Sequence, residues 1–132
     1  MIIAGIGCRK GTSIDAVLAA LGEAMAQAGY AQRTPDMLAT GPIKAGELAI
    51  GHAAERLGIA LVIAAQADIE AAAPRTLTIS EPSLVHAGTP SLCEAAALAV
   101  AGKAARLANP RLVRDGVTCA IVHTETETRN VP

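Results

Sequence analysis

The sequence predicts an α/β fold, a three-layer sandwich of about five mostly parallel strands with helices on both faces. Three observations carry this reading. Apolar runs that suit buried strands alternate along the chain with stretches at helical spacing. The first run, Ile2 to Ile6, stops at a glycine-rich cationic turn, and a helical pattern starts at once afterwards. Of the 132 residues 52% are hydrophobic, yet Phe and Trp are absent and Tyr30 is the only aromatic. With thirty alanines beside Ile, Leu and Val, the core suits helices lying close against a sheet. The length fits one domain, residues 1–132, with the polar segment 123–132 as a frayed tail.

The elements follow in order. Ile2 to Gly7 is strand one, apolar throughout and therefore central in the sheet. Ser13 to Ala28 is a helix, with Ile14, Val17, Leu18, Leu21 and Met25 on one face and Gly29 as its stop. Thr12 and Asp15 stand as T-x-x-D, close to a capping box. Met37 to Thr40 is a short strand before the turn Gly41–Pro42. Lys44 to Leu57 is the second helix, closed by Gly58. Ile59 to Ala64 is a continuous apolar run, the pattern of a central parallel strand covered on both faces. Gln66 to Ala72 forms a short helix before Pro74, and Arg75 to Ser80 an edge strand. The turn-rich Glu81 to Ser91 leads into the last major helix, where Ser91 and Glu94 form a capping box. That helix runs to about Gly102, or on to Leu107. Val117 to Val122 is the final strand.

Composition excludes several function classes. Single-strand nucleic acid readers need aromatic platforms and duplex readers need excess positive charge. Lys+Arg 11 against Asp+Glu 12 offers no such field, so no nucleic acid partner is expected. The apolar run Ile59 to Ala65 is far short of the roughly 20 residues that span a bilayer, and the start carries no signal-peptide pattern. No membrane partner is expected, and the cytoplasm is the default. Cys8, Cys93 and Cys119 are odd in number and widely spaced, against both a disulfide framework and a structural zinc site.

The opening turn carries the chemistry. Helix N-termini present unpaired N–H groups and partial positive charge to an anion. Arg9 and Lys10 add full charges there, and Gly5, Gly7 and Gly11 allow close backbone approach. Nucleotide motifs fit poorly. The spacing is G5-x-G7-x-x-x-G11, Asp36 precedes its strand instead of ending it, and Lys10 stands before Gly11 where a P-loop lysine follows its glycine. A nucleotide- or phosphate-binding enzyme using this turn remains the alternative of another class, and a structural partner of another enzyme a third.

GIGCRKGTS at 5–13, KAGE at 44–47 and PSLCEAAAL at 90–98 resemble the cobalamin biosynthesis family of CobE and the C-terminal domain of CbiG. The likeness runs from strand one to the last strand, TCAIV, and matches the stand-alone CobE form. One departure is AAQADI, where relatives carry an aromatic; Ala64 and Ala65 are expected to leave that side of the site more open. The resemblance implies a protein of the corrin-ring stage. Its partners would be a corrinoid or precorrin intermediate, for instance hydrogenobyrinic acid, and other cobalamin-pathway enzymes. CbiG is associated with opening the lactone of cobalt-precorrin-5A, so a lactone or acyl hydrolase acting on a precorrin-5-type intermediate is the alternative to a carrier or accessory factor. No cofactor is implied.

The ligand-binding candidates are Gly7, Cys8, Arg9, Lys10, Gly11, Thr12, Ser13, Lys44, Glu47 and Ser91. Cys8 reads as a small buried hydrophobe at a strand end, or as a nucleophile whose pKa the neighbouring cations and helix N-terminus lower. Glu94 reads as half of the capping box, or as a general acid or base. Lys44 and Glu47 read as an i,i+3 surface pair, or by resemblance as site residues. His52, His86 and His123 are too separated in sequence for a metal cluster, so no metal site is expected. The turns Gly7 to Ser13 and Gly88 to Ser91 are expected on one rim, at the carboxyl ends of the strands. Lys103, late in the last helix, is expected not to matter.

Overall fold

Ile2–Cys8 forms β1, and all of its residues are buried, as an apolar run covered on both faces requires. The chain is described by a computed structural model over residues 1–42, 47–77 and 91–124. β1 pairs in parallel with β2 (Met37–Thr40), and β2 in parallel with β3 (Ala60–Ile63). On its other side β1 runs antiparallel to β6 (Val117–His123), from Ile2 opposite His123 to Cys8 opposite Val117. Two short strands, β4 (Arg106–Leu107) and β5 (Leu112–Arg114), lie along the outer edge of β6 and antiparallel to it. The order is β3-β2-β1-β6-β4, with β5 also on β6, so β6 alone runs against the other strands. β1 is central, as its composition predicts.

Among the described residues four helices flank the sheet: α1 (Ile14–Gln27), α2 (Leu48–Leu57), α3 (Gln66–Ala72) and α4 (Leu92–Ala101). The path β1 to β2 to β3 advances in one direction, and right-handed crossovers then put their connecting helices on one face. Val17, Leu21 and Met25 of α1 and Ile50 and Ala53 of α2 accordingly share one core cluster with Ile2, Ala4, Ile6 and Cys8. Ile3, Ala39 and Val122 point the other way, into a second cluster with Ile69 and Ala72 of α3 and Ala95 to Leu98 of α4. Alternation along β1 thus feeds two cores, which makes the sandwich three-layered.

The contact between α4 and β1 is unusually close. A Cβ at Gly5 would overlap the Cys93 carbonyl oxygen and lie 3.0 Å from Ala97 Cβ. Glycine under the helix and Ala95, Ala96 and Ala97 on it let the two backbones approach directly. Further along, a Cβ at Gly41 would meet Leu92 Cδ1 at 2.7 Å, so the first turn of α4 sits over the chain just past β2.

Several expected elements differ. Ile59 to Ala64 supplies β3, but among the described strands β3 stands at the edge, and none of its four residues is fully buried. Arg75 is not in a strand: Ala73–Arg75 is a 3-10 turn opened by Pro74, and Thr76 and Leu77 are irregular, while 78–80 lie outside the described residues. The last helix does not reach Leu107. It ends at Ala101, because Gly102 leaves the helix at φ 97°, and Arg75 donates to the carbonyls of Gly102 and Ala105 at 3.4 Å and 2.6 Å as the chain turns into β4. Strands β4 and β5 were not expected at all. Between the Leu107–Val122 and Leu112–Cys119 pairs the edge chain takes five steps where β6 takes three, a bulge centred on Asn109 and Pro110. Asp115 (φ 51°) and Gly116 (φ 80°) then close the β5–β6 hairpin, the backbone of a two-residue primed turn. His123 and Thr124, assigned to the tail, are ordered: His123 lies in β6, and Thr124 N donates to Met1 O at 3.0 Å. Residues 125–132 lie outside the described residues.

Replacing Gly5 with Ala forces α4 off the sheet, because the obstacle is a backbone carbonyl that no rotamer change can move. We expect a loss of at least about 2 kcal/mol, the upper range for overpacked cores, read as a lowered denaturation midpoint. Gly22→Ala, where a Cβ meets nothing within 4 Å, is expected to be neutral or stabilising.

Candidate functional site

The carboxyl end of β1 runs straight into the turn that the sequence singles out. Gly7 and Cys8 are buried, whereas Arg9, Lys10, Gly11 and Ser13 are exposed and Thr12 is half-buried. Arg9 N donates to Gly116 O at 3.0 Å, which ties the turn to the β5–β6 hairpin. Thr12 N and Thr12 Oγ1 both donate to Arg9 O, at 3.2 Å and 2.6 Å. Ser13, not Thr12, is the cap of α1: its Oγ accepts from Ala16 N at 3.1 Å. Thr12 instead closes the turn that presents Arg9 and Lys10. Neither cation has an ion-pair or side-chain hydrogen-bond partner among the described residues.

The first turn of α4 comes to the same place. Thr118, opposite Gly7 in the β1–β6 register, donates from Oγ1 to Gly7 O at 3.3 Å. The Cys93 thiol faces the Ser91 hydroxyl, and Thr118 stands near enough to lower its pKa against the rise that burial causes. Ser91 Oγ lies 3.7 Å from Cys93 Sγ and makes no cap hydrogen bond, so the capping role expected of that hydroxyl is not filled. Ser91 itself is fully buried. Two helix N-termini, those of α1 and α4, therefore stand at one end of the sheet, linked through Thr118 and Cys93. Gly88 to Pro90, and with them the rest of the expected second turn, lie outside the described residues.

The two residues weighed for catalysis are both interior. Cys8 is 5% exposed and belongs to the core cluster between the sheet and α1 and α2. Glu94 is completely buried, and its carboxylate accepts from two backbone amides: Leu77 N on Oε1 at 3.1 Å and Arg111 N on Oε2 at 3.2 Å. It braces the chain after α3 and the chain entering β5 onto α4. The other two thiols are buried as well. Burial pushes the Cys93 thiol up, with hydrogen bonds from Thr118 and Ser91 opposing it, and burial beside Cys93 pushes Cys119 well above the ordinary thiol range. Neither is poised as a thiolate nucleophile.

Other candidates fall away from this place or from the described residues. Glu47 is the residue before the first turn of α2 and makes no side-chain cap hydrogen bond. Lys44 lies outside the described residues. Ala64 is buried in the α3–α4 core and only Ala65 is exposed. His52 is exposed on α2, His123 is half-buried in β6, and His86 lies outside the described residues. Among the described residues no His, Cys, Asp and Glu group is placed to hold a metal. Sequence reasoning missed Thr40 and Thr118. Thr40 Oγ1 donates to Ile6 O at 2.8 Å, so the two threonines brace the end of β1 from both sides. Their signal was a lone hydroxyl in an otherwise apolar strand.

Comparison with known proteins agrees with this architecture. The family described as "Cobalamin synthesis G C-terminus" matches residues 2–122. "Protein CobE" from Sinorhizobium sp is 31% identical over 120 residues, covering 91% of this chain and 78% of that protein. The solved structure of CobE, "a protein from the cobalamin (vitamin B12) biosynthetic pathway", aligns with TM-score 0.86 and 31% identity over 92% of this chain and 89% of that one. The cobalamin biosynthesis protein chiG from Agrobacterium tumefaciens aligns with TM-score 0.75 and 50% identity over 94% and 98%. A cobalamin biosynthesis protein G homolog from Sulfolobus solfataricus, at 13% identity, shares the fold over 36% of its length.

Glu94→Gln replaces a carboxylate oxygen with an amide that must face a backbone N–H. The expected loss is about 1–3 kcal/mol, the range for a buried group left unsatisfied, measured by chemical denaturation. The thiols set the alkaline behaviour. Groups whose folded pKa is raised contribute stability that is whole below the unfolded value of 9.0 and is lost as pH rises beyond it. Between pH 8 and pH 10.5 the unfolding free energy of the Cys93→Ala, Cys119→Ala double variant is therefore expected to fall less steeply than that of the parent.

Proposed function

The chain belongs to the cobalamin synthesis G C-terminus family, and from that premise we propose that it binds a polycarboxylate corrin-ring intermediate at the rim formed by the carboxyl end of β1. It is a cobalamin biosynthesis protein. Within that pathway our reading is a cytoplasmic carrier or accessory factor that holds an intermediate such as hydrogenobyrinic acid.

The observation that supports the reading is the pair of exposed cations, Arg9 and Lys10, beside the N-terminus of α1. Corrinoid intermediates carry several acetate and propionate carboxylates. A carboxylate at this turn would meet the N-terminal amides of α1 and the guanidinium of Arg9, whose planar fork suits bidentate contact. Lys10 would follow as a mobile point charge. The N-terminus of α4, beside Gly7 through Thr118, adds partial positive charge from the other face of the sheet. Cys8, Glu94, Cys93 and Cys119 are all buried, which favours binding over lactone hydrolysis as the role of this rim.

The test is a spectral titration with hydrogenobyrinic acid. Saturable binding is expected, with no rise in melting temperature on adding ATP or NADP. A charge-assisted contact contributes about 1.5–3 kcal/mol when shielded from water, so Arg9→Ala is expected to weaken binding roughly tenfold or more while the protein stays folded. Unchanged affinity in a folded Arg9→Ala protein overturns the rim as the binding site. Binding of no corrinoid, with complex formation to a pathway methyltransferase, would favour the structural-partner reading.

A further inference from the structure

A cavity of about 390 Å³ opens at the other end of the sheet, where α4 finishes, and is lined by Arg75, Leu77, Leu98, Lys103, Arg106 and Leu107 among others. Arg106 pairs with His123, which pairs with Ile2, so this is the amino end of β1, away from Arg9 and Lys10. Its size falls within the range of small-molecule sites, about 300–1,000 Å³. Three cations line it, and none of its described lining residues is acidic. Lys103 and Arg106 are exposed and have no ion-pair or side-chain hydrogen-bond partner among the described residues.

A helix C-terminus ordinarily disfavours an anion, because its last carbonyls carry partial negative charge. Here Arg75 covers them: its Nη2 donates to Ala105 O at 2.6 Å, and both Nη atoms lie 3.4 Å from Gly102 O. Arg75 is thereby occupied with the helix end and leaves Lys103 and Arg106 as the cations that face a ligand. The rest of the wall is apolar. Leu98 is buried, Leu107 is half-buried and Leu77 is 59% exposed. Uncompensated like charges beside an exposed leucine suit a ligand that is anionic at one point and apolar at another.

We propose that this cavity is a second binding site, for a small aliphatic carboxylate, whose charge lies between Lys103 and Arg106 and whose body lies on Leu77, Leu98 and Leu107. The site is independent of the corrinoid-binding rim, and Lys103, which the sequence reading set aside, becomes one of its two ligand-facing cations.

The experiment is a ¹⁵N–¹H NMR titration of the full chain with hexanoate, using neutral hexanamide and inorganic phosphate as comparators. Saturable shifts are expected at the amides of Leu98 and Lys103–Leu107. Phosphate is expected to bind at least several-fold more weakly, and hexanamide not measurably. Lys103→Ala with Arg106→Ala is expected to weaken hexanoate at least tenfold at unchanged melting temperature, since both side chains are exposed, whereas Arg9→Ala leaves it unaltered. The proposal is overturned by any of four results: no saturable shift at these amides, equal affinity in the folded double variant, phosphate or hexanamide matching hexanoate, or shifts confined to the Arg9 turn.

Discussion

The rest of the structure depends on the direct seating of α4 on β1 at Gly5. No side chain separates the Cys93 carbonyl from the central strand, so the helix sits at backbone contact distance. That position lets Glu94 reach both Leu77 N and Arg111 N, which anchors two connections of different origin to one helical turn. It also carries Cys93 to Thr118 and Leu92 to Gly41. With Tyr30 as its one aromatic residue, a protein of this composition gains its packing by shortening distances between backbones, and Gly5 is where that strategy is most fully used.

The two ends of the sheet are finished by different means. At the carboxyl end of β1 the threonine hydroxyls of Thr40 and Thr118 tie down the strand carbonyls, and the charged side chains stay outside. At the amino end, Asp36 accepts from Ile2 N on Oδ2 at 2.7 Å and donates its own N–H to Ile2 O at 2.7 Å. Arg75 seals the end of α4 in the same region of the fold. One end thus keeps helix N-terminal amides available beside Arg9 and Lys10, while the other commits an aspartate and an arginine to backbone groups and leaves Lys103 and Arg106 exposed. An acidic residue at the start of β2 is a strand clamp, which explains why a dinucleotide reading of Asp36 has no footing.

Much of this was legible in the sequence because apolar periodicity and helix stops are local signals. β1, α1, β2 and α3 begin or end within a residue or two of their expected limits, and Ser13 marks the start of α1. What was not legible depends on partners distant in sequence. Nothing within Ile59 to Ala64 says which described strands will lie beside it. Ser91 and Glu94 have the spacing of a reciprocal cap, yet Glu94 reaches two amides supplied by residues 17 positions away on either side. The hairpin β5–β6 is a different case. Asp115-Gly116 between Leu112–Arg114 and Val117 is a recognised hairpin signal, but the Pro110 bulge breaks the edge strand in two and leaves only three strand residues before it. At the candidate site, the exposed Arg9 and Lys10 were readable from charge and glycine spacing; the inward direction of Cys8 follows only from the alternation of β1 in three dimensions.

The pairing of β1 with β6 has a consequence for how the protein is made. As the chain leaves the ribosome, β1, α1 and β2 emerge together and can associate at once, since β1 and β2 partners lie 34 residues apart in the register. The other edge of β1 has to wait until residues through His123 have been synthesised. During that interval a strand buried throughout in the finished fold keeps an open hydrogen-bonding edge, the kind of surface through which nascent chains pair with one another or with chaperones. Loop closure over more than a hundred residues also makes the last step the slow one entropically. The strand that organises the finished sheet is therefore the element whose environment is completed last.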